Sequence, residues 1–153
     1  MESAELAIAE GQSPPRPFSY LRPDFSMGKE VVLLARTDRM MAAVQVLMDG
    51  GENNLHSHPH QDGFWMVLRG RARFYGEDNQ LIAELAQHEG ILVPRGARYW
   101  FETASSEPLE LLQVEAFNKP LKEPREISED RVDHEPRKVN PGGVAVHDAR
   151  WRA

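Results

Sequence analysis

The chain has 153 residues and a formal net charge of -6 at pH 7, and 41% of its residues are hydrophobic. The length suits a single domain with one core, and the acidic balance argues against a general nucleic-acid binder, which normally presents a basic face. The lack of cysteine excludes disulfides, thiolate metal ligands and cysteine nucleophiles. No apolar run has the length of a membrane span and the acidic N-terminus lacks the layout of a secretory signal, so a cytoplasmic protein that does not bind membranes is the default expectation.

Residues 1–28 predict an N-terminal arm with little regular structure. The segment is rich in proline, serine, glycine and charge. Its apolar residues are able to dock, either on the parent domain, which is the favoured alternative, or on a partner subunit. These apolar residues are Phe18, Tyr20, Leu21 and Phe25.

Residues 29–118 predict an all-β domain. Short segments rich in valine, leucine, methionine and aromatic residues alternate with turn signals, a pattern typical of an antiparallel β-sandwich or barrel. Periodicity alone does not choose between these two, and helix is expected to stay below about a fifth of the chain. The predicted strands cover residues 30–36, 40–48, 55–60, 64–69, 72–75, 81–85, 91–94, 99–102 and 109–117.

Residues 119–153 predict a charged, proline-containing tail that crosses the surface. Residues 144–147 have the composition of an edge strand. Trp151 would be unusual in free solvent, so the far end of the tail is expected to dock.

Two histidines are the strongest chemical signal in the sequence. His56 and His58 are two residues apart, and residues two apart on a strand point to the same face. Two convergent imidazoles beside a carboxylate such as Asp62 favour a divalent metal site. The alternative from spacing alone is a polar strand end with solvated histidines.

The segment around these histidines, residues 50–70, resembles the first motif of the cupin superfamily. In that motif a glycine is followed after five residues by His-x-His, then a glutamate, then a glycine. Both histidines and both glycines fit, but the glutamate position holds Gly63. Three replacements stay open: Asp62, one residue early and turned inward by a loop; His60 as a third nitrogen ligand, although Pro59 would turn it away; or water or substrate.

The second motif of that family, Gly-x5-Pro-x-Gly-x2-His-x3-Asn, is matched in part further along. Pro94 and Gly96 are in place. The leading glycine position holds His88, the third histidine position holds Tyr99, and the asparagine position holds Thr103.

The resemblance implies the double-stranded β-helix, or cupin jelly roll, carrying the N-terminal arm and the C-terminal tail. It implies a divalent transition metal (Fe, Mn, Ni or Zn) on His56 and His58, with Asp62 or His60 completing the ligand set. It also implies a homodimer, and a small organic substrate in the barrel cavity, converted by dioxygenase or isomerase/lyase chemistry. The alternative is a non-catalytic small-molecule-binding or sensing cupin with a degenerate site and no metal.

In this fold the inner face would gather the histidines and Tyr99 around a largely apolar substrate pocket. Trp65 shares the strand parity of Gly63 and would line it, and Gln45 and Gln113 would face inward from neighbouring strands. Tyr99 is the candidate catalytic residue. Its alternatives are packing in the core, hydrogen bonding to a ligand, and direct ligation of the metal.

Overall fold

The computed structural model describes residues 13–48, 50, 52–121, 130–131 and 144–152, with backbone alone for 130 and 131. The start of the predicted arm and most of the predicted tail therefore lie outside the described residues. Within the described ranges the chain forms one 3₁₀ turn, Glu77–Asn79, and thirteen strands. The strands are β1 Phe18–Ser19, β2 Lys29–Arg36, β3 Met40–Leu47, β4 His56–Ser57, β5 Gln61–Arg69, β6 Ala72–Tyr75, β7 Leu81–Leu85, β8 Gly90–Val93, β9 Trp100–Thr103, β10 Leu109–Phe117, β11 Asp130–Arg131, β12 Ala145–Asp148 and β13 Arg150–Trp151.

The strands form one large and one small antiparallel sheet plus two short pairs. The large sheet has six strands in the order β12-β2-β3-β10-β5-β8, and the small one has three in the order β7-β6-β9. Only β12, which lies parallel to β2, departs from antiparallel pairing in the large sheet. This confirms the predicted all-β jelly roll, with sheets that are not hydrogen-bonded into a closed barrel. The described part contains no helix with the length and apolarity that crossing a bilayer requires.

The main core lies between the two sheets and is built from aromatic rings. Trp65 on β5 contacts Phe101 on β9 and Phe74 on β6, with ring centroids 5.0 and 6.1 Å apart. Aliphatic residues such as Leu111 on β10 complete the cluster. A fully buried apolar side chain of this size contributes about 1.5–3 kcal/mol, so this cluster holds the sheets together.

A second apolar cluster covers the outer face of the large sheet. Leu111 belongs to the main core and its neighbour Leu112 packs on the second cluster, because successive strand residues point to opposite faces. Tyr20 and Phe25 of the arm pack on this outer cluster, so the described part of the arm docks on its own domain. The buried members of the cluster are Val32, Leu34, Ala42, Val44, Val46 and Ala149.

The two ends of the described chain also contact each other. β1 of the arm pairs antiparallel with β13, and the rings of Phe18 and Trp151 lie 5.2 Å apart. The Arg16 guanidinium lies over the Trp151 ring at 5.1 Å. Trp151 is therefore docked as its sequence context indicates, and residues 145–148 form the added edge strand.

Candidate functional site

The two histidines of the first motif converge at one end of the sandwich. Their ring centroids lie 5.0 Å apart in an edge-to-face arrangement, as the two-residue spacing predicts. His56 is buried, and its Nδ1 lies 2.7 Å from the Asn54 carbonyl oxygen. Because a carbonyl only accepts hydrogen bonds, Nδ1 carries the proton, which leaves the lone pair of the neutral ring on Nε2.

The second motif is hydrogen-bonded directly to the first. The backbone N–H of His56 donates to the Tyr99 carbonyl at 3.1 Å, and the Tyr99 N–H donates to the His56 carbonyl at 2.9 Å. The N–H of Gly96 donates to the His58 carbonyl at 3.0 Å, from a turn in which Gly96 has a φ of +81°. Glycine suits this position because a side chain disfavours that backbone conformation.

Tyr99 belongs to both the site and the core. Its ring centroid is 4.5 Å from that of His56 and 6.4 Å from that of His58. The other side of the ring contacts Trp65 and stacks on Phe74, at 6.1 and 6.2 Å. The side chain is buried where the family match puts a third histidine, but packing already accounts for much of its environment.

Glu115 is the functional candidate that sequence reasoning missed. It lies on β10 directly opposite Gly63 on β5, and it is only 1% exposed. A Cβ added at Gly63 would lie 3.3 and 3.4 Å from the two Glu115 carboxylate oxygens. The sequence carries one signal for it: Glu115 is two residues after Gln113, so on a strand the two side chains point to the same face, although this spacing does not reveal that Glu115 lies opposite Gly63.

A chain of hydrogen bonds leads to this carboxylate from across the sheet. Lys29 Nζ donates to Gln45 Oε1 at 3.2 Å, Gln45 Nε2 donates to Gln113 Oε1 at 2.9 Å, and Gln113 Nε2 donates to Glu115 Oε1 at 2.8 Å. We call Lys29, Gln45, Gln113 and Glu115 the polar chain. Both glutamines thus face inward as predicted, and they position a carboxylate.

The carboxylate of Glu115 is only partly satisfied. Burial raises the pKa of Glu115 above its usual range, while the hydrogen bond from Gln113, the attraction of His58 and a hydrogen bond from Gln61 act in the opposite direction. Within the described part, Glu115 Oε2 and the nearby Trp65 Nε1 are buried without a hydrogen-bond partner. A buried polar atom left unpaired is costly, so these atoms mark a place where a bound group would be stabilised.

The other two candidate ligands are not brought to the histidine pair. Asp62 points to the opposite strand face from Gly63, where its Oδ1 accepts the Arg95 N–H at 3.0 Å and lies 3.6 Å from the Arg95 guanidinium. His60 is exposed in the bend before β5. Among the residues that the structure describes, no three histidine, aspartate or glutamate side chains are grouped closely enough to hold an ion as they stand.

The space beside the histidines is small. It is too narrow to admit a water molecule unless its walls move. Small-molecule sites usually measure about 300–1,000 Å³, so the expected substrate cavity is not open in this arrangement, and Trp65 fills the interior. The lining residues are His58, Gln61, Gly63, Val93, Pro94, Tyr99 and Glu115.

Comparisons with known proteins support this fold. Residues 43–115 match the family model described as a cupin domain. An uncharacterized conserved protein with a double-stranded beta-helix domain from Klebsiella pneumoniae subsp. pneumoniae MGH 78578 is 19% identical, with a TM-score of 0.62 over 79% of this chain and 100% of that one. A search of curated proteins finds no match.

Two named enzymes share the fold at similar identity. An oxalate oxidase is 19% identical, with a TM-score of 0.53 over 69% of this chain and 55% of that one. Lactobacillus farciminis oxalate decarboxylase, solved as a formate complex, is 19% identical, with a TM-score of 0.53 over 73% of this chain and 33% of that one. At this identity the likeness concerns the fold alone.

The fold and the candidate site together define a class of protein: antiparallel jelly rolls that carry a His-x-His pair beside the inner face. Residues 43–115 of the chain form a cupin domain.

Proposed function

We propose that the protein is a metal-binding cupin that acts on a small organic substrate beside His56 and His58. The observation that carries the proposal is the pair of imidazoles 5.0 Å apart, with His56 held in the tautomer whose Nε2 lone pair is able to ligate. A metal-binding histidine typically donates its other ring N–H to a carbonyl or carboxylate, as His56 does to Asn54.

The residues present fit a divalent transition ion in chemical type. Imidazole nitrogens with a carboxylate oxygen suit Fe, Mn, Ni or Zn, and Glu115 Oε2 is a buried acceptor without a partner in the described part. When bound, the ion would supply Lewis-acid polarisation of a substrate oxygen or, for iron, redox chemistry. Side chains must shift to close around it, because no three candidate ligands are grouped as they stand in the described residues.

The protein's own side chains would exclude water from the site and bind the substrate. Trp65, Phe74 and Tyr99 form the ring-packed floor that excludes water from the histidines. The Tyr99 hydroxyl is our candidate hydrogen-bond donor to a bound substrate. The closed interior favours a small substrate that binds on the half-exposed side of His58, with dioxygenase or isomerase/lyase chemistry as the two alternatives.

The test is metal content and affinity. Untagged protein should contain stoichiometric metal by elemental analysis, and titration with Zn²⁺ or Mn²⁺ should raise its melting temperature. His56→Ala should abolish this uptake, whereas His60→Ala, which removes an exposed histidine two residues from His58 and four from His56, should leave it intact. Binding should weaken below about pH 6.5, because histidine must be neutral to ligate.

The narrow space and the absence of a grouped ligand set in the described residues favour one alternative: a non-catalytic binding or sensing cupin without metal. Metal-free protein whose melting temperature is unmoved by each of the four ions, but is raised by a small organic ligand, would support this alternative against our proposal. If His60→Ala loses metal in the same way as His56→Ala, His60 is itself a ligand of the metal.

A further inference from the structure

We infer that Glu115 supplies the carboxylate ligand of this site, moved from β5 to the neighbouring strand β10. The inference rests on the proposed metal function and deepens it. It assigns the third ligand to a residue outside both sequence motifs, in place of Asp62 and His60.

Gly63 on β5 and Glu115 on β10 lie directly opposite each other in the sheet. Gly63 occupies the position from which the family's glutamate projects, and Glu115 is its partner on β10. The nearer Glu115 oxygen, Oε2, lies 3.3 Å from where a Gly63 Cβ would be, which is tighter than most contacts of a Cβ, and Oε1 lies at 3.4 Å, where ordinary van der Waals contact begins. A side chain at position 63 and a carboxylate at position 115 therefore compete for the same space, and the glycine leaves room for the carboxylate.

The polar chain holds this carboxylate at the pocket that His58 also lines. Gln113 holds Oε1 at 2.8 Å, while Oε2 has no hydrogen-bond partner in the described part and lies beside the Gly63 side of the pocket that His58 also lines. Lys29 at the far end places a positive charge on the same chain of hydrogen bonds. Oε1 is thus held by Gln113 and Oε2 faces the space beside Gly63, so the carboxylate is able to bind a ligand through one oxygen while the other stays hydrogen-bonded.

The competing carboxylate is already engaged elsewhere. Asp62 is 43% exposed and is held at the surface by the backbone and guanidinium of Arg95. Bringing it to the histidines would need a one-residue shift of β5, which would turn every side chain of that strand to the opposite face. Glu115 needs only side-chain movement.

Two neutral amide variants test which of the two carboxylates binds the metal. Glu115→Gln keeps the shape and the contact with Gln113 but removes the charge, and Asp62→Asn is its matched control. Affinity for Zn²⁺ and Mn²⁺ is measured by calorimetry, with far-ultraviolet circular dichroism to verify the fold. We expect Glu115→Gln to weaken binding by about 100-fold or more, since loss of groups that merely support a ligand costs 10–100-fold, and Asp62→Asn to bind as the wild type does.

A rescue variant tests the exchange between strands. Glu115→Ala should lose metal, and Gly63→Glu combined with Glu115→Ala should recover at least about tenfold of the lost affinity, because the carboxylate then projects from the other member of the pair. If Glu115→Gln does not fold, this double variant against Glu115→Ala decides the question on the same measurement.

The outcomes distinguish this inference from the proposed function. Wild-type affinity in Glu115→Gln, together with lost binding in His56→Ala, would overturn the role of Glu115 and leave the histidine site standing. Weakened binding in Asp62→Asn alone would assign the ligand to Asp62 and also overturn it. Failure of the wild type to bind any of the ions would overturn the proposed function itself.

Discussion

The two faces of the large sheet differ in the side chains that they bury at one end of β10. On β10 the outward residues Leu112 and Val114 are apolar and pack under the arm, whereas the inward residues Gln113 and Glu115 are polar and buried. Antiparallel strands usually place apolar residues inward and polar residues outward. This end of β10 reverses the rule, and a sequence selected for stability alone would have no reason to bury a carboxylate there.

The opposite end of the inner face follows the ordinary rule. Leu109 and Leu111 on the same strand join the ring core with Trp65 and Phe101. The change from leucine to glutamine and glutamate along one strand face therefore marks the boundary between the packed core and the site.

The largest effect is expected in the ring core. Phe74→Ala should lower the free energy of unfolding by about 3–5 kcal/mol, because it removes a fully buried ring that contacts Trp65, Tyr99 and Phe101. Urea denaturation measures this loss. A cost below about 1 kcal/mol would mean that the two sheets are not held together by this cluster.

Tyr99 lies on the boundary, and two substitutions separate its roles. Tyr99→Ala should destabilise the domain by about 3 kcal/mol or more, while Tyr99→Phe should keep the fold. If the hydroxyl contacts a ligand, Tyr99→Phe should also weaken ligand binding or turnover by about five- to 150-fold, equivalent to about 1–3 kcal/mol. Unchanged binding in Tyr99→Phe would assign the residue to packing.

On the outer face the arm should affect stability without affecting the site. The Tyr20 hydroxyl donates a hydrogen bond to the Glu110 carboxylate, so Tyr20→Phe should lower the free energy of unfolding by about 1–2 kcal/mol. Thermal or chemical denaturation measures this loss. Metal affinity should remain that of the wild type. A parallel loss of metal affinity would show that the arm supports the inner face, and the proposed separation of the two faces would be wrong.

The smallest change in stability is expected at Glu115, where the change in function should be largest. Glu115→Gln removes a desolvated charge, so the free energy of unfolding of the metal-free protein should stay within about 1 kcal/mol of the wild type or rise. Chemical denaturation in the presence of a chelator measures it. A loss above about 2 kcal/mol would give Glu115 a structural role and remove the argument that its burial serves a ligand.

Local sequence patterns determined the fold and the convergence of the two motif histidines. Short strands separated by turns predicted the all-β jelly roll, the two-residue spacing brought His56 and His58 together, and the second motif put Tyr99 beside them. His88 illustrates the same logic, because it has a φ of +68° at the position where the motif has glycine. These features depend on residues that are close in sequence, so the local sequence is enough to predict them.

Only the tertiary structure decided which carboxylate is buried on the inner face of the sandwich. Asp62 is close in sequence but points outward, because a strand turns each successive side chain to the other face. Glu115 is distant in sequence but lies opposite Gly63, because the register between β5 and β10 pairs those two positions. Register is a property of two strands together, set by the packing of both faces, and no pattern within either strand alone specifies it.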